Sequence, residues 1–492
     1  NLLKILSPII KIIYIYMSKN LIEKFNKSSV IEEIEETTIY FISHASVVIR
    51  CGEYILVTDP YFITPAFTTW KTSPCATISV DTLVSLSYGK KLAFIVSHAH
   101  SDHYDINFLK KCSSETSVFI CKFPKDDFKK SLHKDCGLLN IFEMVSYELT
   151  PTKWGPFEIN AWLDPGSDFD SVISIASPDA FIFHGNDAWG ITNKILGNSI
   201  KNVKDRYADR KSLFMGQGGT ASGWPLSYFC YSETEKIKLL EKKVENMVTT
   251  IAETCKTYSF DRALAYAMLT RIDIPEKNYS FQTPTMTGNY ANIVTSSDLF
   301  INLHPGDVYI PKEMRVIKVL GTLDHVKLFT NNMGPTPHFG PEISKSEWFE
   351  LGYHEMCEIF VKKILPEYIK LELGKNDDNR TPQHLTDEGR WVDDDFDLVF
   401  KLIITDNYKN NTVIDEISIS MFEGTREKML RVPSNIMASV CKGKIPFRDL
   451  YIGYLGEFSR KPINIYNYHF IQALHGCGVT YFKTEGVQIG SL

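Results

Sequence analysis

Residues 97–105 read SHAHSDHYD, three histidines and two aspartates within nine positions. They follow LAFIVSH, a short apolar run that reads as a buried strand. Residues two apart project the same way from an extended backbone, so His98 and His100 are placed to grip one ion together. INFLKKC then has helical spacing. The turn between strand and helix brings Asp102 and His103 round to a second ion nearby. Neutral imidazoles with a carboxylate suit zinc, iron or manganese. A chain carrying this loop needs a sheet that ends on it, and that requirement constrains the fold more than any other segment.

The flanking sequence supplies such a sheet. TIYFISHASVVIR alternates and is rich in β-branched and aromatic residues, Cys51-Gly52-Glu53 reads as a turn, and YILVTD follows, which together predict two strands. Further short apolar runs at VFICKF, FEINAWL, SVISIA and AFIFHG are spaced as in a sheet-rich α/β core. Residues 231–257 predict an amphipathic helix that covers a sheet. MGPTPHFGP, residues 333–341, is a Pro/Gly-rich break. Beyond it, helical spacing and two alternating strands, LVFKLIITD and VIDEISISMFEG, predict a small α+β unit.

The expected organisation is an extension over 1–17, a metal-binding domain over 18–335 and a C-terminal α+β domain over 342–492. The first sixteen residues, NLLKILSPIIKIIYIY, are apolar but interrupted by Lys4, Pro8 and Lys11, so stable membrane insertion is not expected.

HxHxDH after a strand is the hallmark of the metallo-β-lactamase superfamily, and the chain resembles its members. The fold this implies is an α/β sandwich of αββα layers, here with the added C-terminal unit. His44-Ala45-Ser46, Asp59-Pro60-Tyr61-Phe62 and Thr64-Pro65-Ala66-Phe67 resemble the branch containing CMP-N-acetylneuraminic acid hydroxylase. FDSVISI, FIFHGNDAW and Gly218-Gly219-Thr220-Ala221-Ser222-Gly223-Trp224-Pro225 resemble it again, so that the similarity runs from about residue 38 to about residue 310.

The resemblance implies further ligands. Asp187 matches the aspartate that bridges the two metals, with Asn186 and His184 as neighbours. Where the hydroxylase shows His-Pro, this chain reads Asp164-Pro165, which makes Asp164 the expected replacement ligand and Asp168 its understudy. His133 sits too early in a polar helix to serve. The last family position falls near Thr270-Arg271-Ile272-Asp273, where there is no histidine, and Asp273 or His304 is left to complete the second ion. His44 and Asp59 are expected beside the metals rather than on them, with Asp59 supporting the loop through hydrogen bonds. Asp102 and Asp187 are the candidate catalytic carboxylates.

Two chemistries share this frame. A metal pair lowers the pKa of a bound water and polarises an ester, lactone or phosphodiester. A pair of irons with more carboxylate and fewer imidazole ligands suits oxygen activation instead, and the exchange of imidazole for carboxylate, together with the resemblance to a hydroxylase, favours a diiron oxygenase slightly over a hydrolase. The expected cofactor is therefore two metal ions, iron before zinc or manganese, acting on a small polar molecule. A Rieske centre needs Cys-X-His; the chain has no such pair, so electrons are expected from a separate reductase or ferredoxin. The net charge of −6 argues against a nucleic-acid partner, whose binding face is basic. Ten cysteines without Cys-X-X-Cys spacing give neither a zinc ribbon nor a disulfide framework, which fits a cytoplasmic protein.

Overall fold

The computed structural model describes residues 36–72, 80–147, 150–164, 170–188, 194–219, 223–267, 270–274, 288–317, 339–374, 398–421, 424, 426–463 and 468–489. Two sheets lie face to face. The first has eight strands in the order Arg315–Ile317, Val308–Ile310, Thr38–Ser43, Ser46–Cys51, Tyr54–Thr58, Leu92–Ile95, Ser117–Cys121 and Ile141–Met144. The second has six, in the order Arg262–Tyr266, Lys211–Gln217, Ala180–Asn186, Ser171–Ala176, Phe157–Leu163 and Thr152–Trp154.

Period-two alternation sorts the side chains of the first sheet between two cores. Ile39, Phe41, Val47, Ile49, Leu56, Ile95 and Phe119 point inward against Ile159, Ile173, Ile175 and Ile182 of the second sheet. Their neighbours Tyr40, Ile42, Val48, Val57, Phe94, Val118 and Ile120 point outward, where Leu83, Phe108 and Leu132 of three helices cover them. The second sheet is covered by the helix Glu233–Tyr258, which packs on the strands Lys211–Gln217 and Arg262–Tyr266. The layers are therefore helix, sheet, sheet, helix, the sandwich the sequence predicts.

The long helix matches the expected one within two residues at its start. Its capping box, with Ser232 and Glu235 satisfying each other's backbone amides, explains where it begins. The stretch TIYFISHASVVIR departs from the prediction of a single strand. It is a tight hairpin, Thr38–Ser43 and Ser46–Cys51, turning at His44-Ala45. Unbroken β-branched alternation conceals a two-residue turn, because neither turn residue is Gly, Asn or Asp.

Residues beyond 339 contribute no strand to either sandwich sheet among the described residues. They form a four-stranded sheet in the order Val413–Ser420, Leu398–Thr405, Arg426–Pro433 and Glu457–Lys461, flanked by helices. Of the expected break at 333–341, only 339–341 fall among the described residues, and the 1–17 extension lies outside them. This sheet shares one apolar core with the segment that follows the first hairpin. Tyr61, Ala66, Phe67 and Trp70 pack with Leu430, Leu450, Tyr454 and Phe458.

Trp70 is the centre of that joint. It is 1% exposed, its ring meets Phe67 at 5.1 Å, and its Nε1 donates to the Ile452 carbonyl at 2.8 Å. Trp70→Ala is expected to cost about 3–5 kcal/mol of unfolding free energy in chemical denaturation. A loss below about 1 kcal/mol would contradict a shared core.

Candidate metal centre

Asp59 ends the strand Tyr54–Thr58 with a left-handed backbone, φ 38°, and is fully buried. Its Oδ1 accepts from the Ser97 amide at 2.8 Å. Its Oδ2 accepts from Ser97 Oγ at 2.9 Å and lies 2.8 Å from both His103 Nδ1 and His184 Nε2. His184 in turn receives the Tyr266 hydroxyl on Nδ1. Burial alone would raise the Asp59 carboxyl, but His184 and His103 with their hydrogen bonds hold it well below the usual carboxylate range. Asp105 does parallel work one turn later. It caps the helix Ile106–Leu109 and accepts from the amides of Ile63 at 2.6 Å and Thr64 at 2.8 Å. The histidine loop is thus pinned at both ends by a buried carboxylate.

Between those pins the ligand-type side chains fall into two groups. His98, His100 and Asp187 form one, and His44, Asp102 and His103 the other, with the candidate ligand atoms of each group within 4.8 Å of one another. The groups adjoin, since Asp187 Oδ2 lies 3.3 Å from His103 Nε2. His98, His103 and Asp102 are buried, whereas His100 and Asp187 are partly open.

Five atoms among these residues are buried without a hydrogen-bond partner: His44 Nδ1, His98 Nε2, Asp102 Oδ1, His103 Nε2 and Asp187 Oδ1. Orphaned buried polar atoms are rare because each costs free energy. His98 Nε2, His103 Nε2 and the two carboxylate oxygens, left open together, fit metal ions as the missing partners, whereas His44 turns its other nitrogen, Nε2, toward Asp102. The bond from His103 Nδ1 to Asp59 fixes the proton there and leaves Nε2 toward the cluster. Electrostatics agree with that geometry. Burial and the neighbouring His103 and His100 push His98 below its ordinary value. His103 is raised: burial opposes protonation, and Asp187, Asp102 and Asp59 together overcome it.

The expected ligands outside the HxHxDH loop are distributed unevenly. Asp187 joins the cluster. Asp164 is buried, its amide donating to the Asp170 carbonyl at 2.9 Å, but it belongs to neither group. Asp170 instead brings Oδ1 to 3.7 Å from His98 Nε2. Asp273 is paired with Lys71 at 2.6 Å, and His304 donates its amide to Asp307 at 2.9 Å; neither is in a group. Asp168, like His325, His338 and His384, lies outside the described residues. His133, on the helix Asp127–Lys134, contacts the Leu138 carbonyl beyond that helix's end.

Sequence reasoning passed over Asp170 and the His184–Tyr266 pair, and it set His44 beside the metals. The available signal for Asp170 was a strand, SVISI, starting directly after it. Residues at the ends of adjacent strands converge, and this end of the sandwich carries the histidine loop.

No family model matches the chain, and no curated protein is similar to it in sequence. Solved structures do match in part, and they are metallo-β-lactamase-fold proteins that include hydrolases and a hydroxylase. One is a possible metal-dependent hydrolase from Veillonella parvula DSM 2008, at 12% identity over 56% of this chain and 99% of that one, TM-score 0.36. Another is CmlA, a diiron β-hydroxylase from Streptomyces venezuelae, at 12% identity over 58% of this chain and 54% of that one, TM-score 0.37. A third is the metallo-β-lactamase-fold protein YhfI from Bacillus subtilis, at 14% identity over 56% and 99%, TM-score 0.32.

Asp59→Asn replaces an acceptor of four hydrogen bonds with a group that accepts on one atom only. Loss of such an outer partner typically weakens metal binding 10–100-fold, and a loss in that range is expected here in chelator competition. Unchanged affinity would show that Asp59 braces the strands rather than the centre.

Proposed function

We propose that this chain is a dinuclear-metal enzyme, its ions held by the His98, His100, Asp102, His103 and Asp187 cluster, and that it uses a pair of irons to oxidise a small polar substrate with dioxygen. The carrying observation is the group beside the opening. His98, His100 and Asp187 are two imidazoles and one carboxylate, the donor set that leaves coordination positions open in non-haem iron oxygenases. Asp170, at 3.7 Å from His98, adds anionic oxygen on the same side. With Asp164, Asp170, Asp273 and His304 all outside both groups, Asp102 and Asp187 supply the carboxylate character of this centre, and Asp170 stands next to it.

The ions supply Lewis acidity and, as iron, the electron exchange with dioxygen. The protein's own part is positional. His98, His103 and Asp102 are buried and keep water from one side of the cluster, while His100 and Asp187 border the side from which a substrate approaches. The Phe67 ring, 6.1 Å from His100, gives that approach an apolar wall. Asp59 holds the Nδ1 proton of His103 in place throughout. The electrons come from a separate reductase or ferredoxin in this reading.

One observation favours hydrolysis as the second reading. Asp102 Oδ1 is buried without a hydrogen-bond partner, and burial's upward pull on its carboxyl is overcome by His103, His44 and His100. An ionised, open carboxylate beside a metal centre is equipped to take a proton from water, and two imidazoles with a carboxylate also serve catalytic zinc.

Metal analysis of protein purified without added metal separates the two readings. Two equivalents of iron, with oxygen uptake that appears only when a reductant is supplied, are expected. Tightly held zinc with ester, lactone or phosphodiester turnover and no oxygen uptake would overturn the oxygenase reading.

A further inference from the structure

We infer that His44 is itself a metal ligand and completes the second ion's shell with Asp102 and His103. The inference rests on the two-ion reading above, but on neither choice of chemistry. Its starting point is the backbone. His44 takes the first position of a two-residue hairpin turn at φ 45°, a place where such turns normally carry glycine or asparagine. A side chain with a Cβ costs free energy in the left-handed region, so the turn presents this ring at a cost.

The turn is locked on three sides. The His44 carbonyl accepts from the Ala267 amide at 3.0 Å, Ser46 Oγ donates to the Asp59 carbonyl, and the Val47 amide donates to Thr58 Oγ1 at 3.0 Å. The ring is 1% exposed and lies edge-on to Tyr61 at 5.9 Å and to His103 at 5.6 Å. It has been carried into the metal centre and fixed there.

Distances here suit a shared ion as well as a hydrogen bond. His44 Nε2 stands 3.3 Å from Asp102 Oδ2, a hydrogen bond just past the long end of the usual range of about 2.7–3.2 Å. Two atoms each about 2.0–2.1 Å from one tetrahedral ion lie roughly 3.3 Å apart. His103 Nε2 is 3.6 Å from the same Asp102 oxygen and 3.3 Å from Asp187 Oδ2. These spacings are the edges of a coordination polyhedron, seen from three donors in succession.

The assignment gives His44 the place that Asp273 and His304 leave open. Asp273 is already paired with Lys71 at 2.6 Å, and His304 belongs to neither group. With His44 included, each ion has two imidazoles and one carboxylate, and Asp187 stands between the ions.

The test uses His44→Asn, because asparagine tolerates the left-handed turn and removes only the imidazole. Zinc and iron(II) binding by the wild-type and variant chains would be measured by chelator competition, alongside thermal melts of the metal-free proteins. The wild type is expected to bind two equivalents. The variant, melting like the wild type, is expected to keep one tightly and to bind the second more than about 100-fold more weakly, beyond what loss of an outer partner costs. A second-site loss below that, with two equivalents retained, overturns the ligand role and leaves the metal centre standing. Should the variant fail to fold, a metal-loaded crystal structure of the wild type decides. A His44 nitrogen about 2.0–2.1 Å from the second ion supports the assignment, and one hydrogen-bonded to Asp102 without touching the ion overturns it. A wild-type chain that binds no metal overturns both this assignment and the reading beneath it.

Discussion

The carboxylate of Asp59 is the contact on which the rest of the centre depends. A buried charge is costly unless every oxygen is satisfied, and here four donors from two sheets satisfy it. Ser97 comes from the end of the strand Leu92–Ile95, His103 from the loop that follows, and His184 from the facing sheet. The same atom therefore joins the two halves of the sandwich and sets the tautomer of a metal-facing histidine. Removing it would leave two imidazoles unpaired in the interior and release the loop between them. Its positive φ belongs to the same arrangement, since the chain must turn sharply there to bring the carboxylate under the histidines.

A second line of support reaches the centre from the C-terminal sheet. Thr68 Oγ1 donates to Asp449 at 2.7 Å, Thr69 Oγ1 to the Gly453 carbonyl at 2.7 Å, and Trp70 Nε1 to the Ile452 carbonyl at 2.8 Å. The preceding residue is Phe67, whose amide donates to Ser101 Oγ at 3.1 Å and whose ring flanks His100. Residues 64–70 thus hold the histidine loop at one end and the C-terminal unit at the other. Residues 449–453 and the histidine loop are joined through one short segment. The two positive φ angles of Phe67 and Thr68, 44° and 69°, record how tightly that segment bends.

What was legible in the sequence follows from how local each signal is. His98, His100, Asp102 and His103 stand within six residues after a buried strand, so spacing alone puts them together. The strands around them show because alternation is a nearest-neighbour property, and the long helix because its amphipathic spacing repeats over many turns, while its start is set by the cap at Ser232. Contacts between distant segments were harder. Asp164, Asp168 and Asp170 lie close together in sequence, and no periodicity says which one approaches His98; among the described residues Asp170 does. His44 is 58 residues from Asp102, in a turn that alternation disguised as strand. His184 showed only as a neighbour of Asp187 and Tyr266 carried no signal; both are buried, and they join Asp59 through hydrogen bonds that only the packed sheets create.

Charge balance explains why so many ionisable groups tolerate one another here. Asp59, Asp102 and Asp187 gather around four imidazoles at 44, 98, 100 and 103, most of them buried. Without metal, a proton on His103 offsets part of the carboxylate charge, which is the direction its own equilibrium is pushed. His98 is pushed the opposite way and stays neutral. One imidazole is thus kept ready as a donor while its neighbour carries the compensating proton. A cation arriving at His103 Nε2 takes over the role of that proton, so metal and proton compete for one nitrogen and loading the centre releases acid. The carboxylates then keep their hydrogen bonds and lose only their orphaned lone pairs.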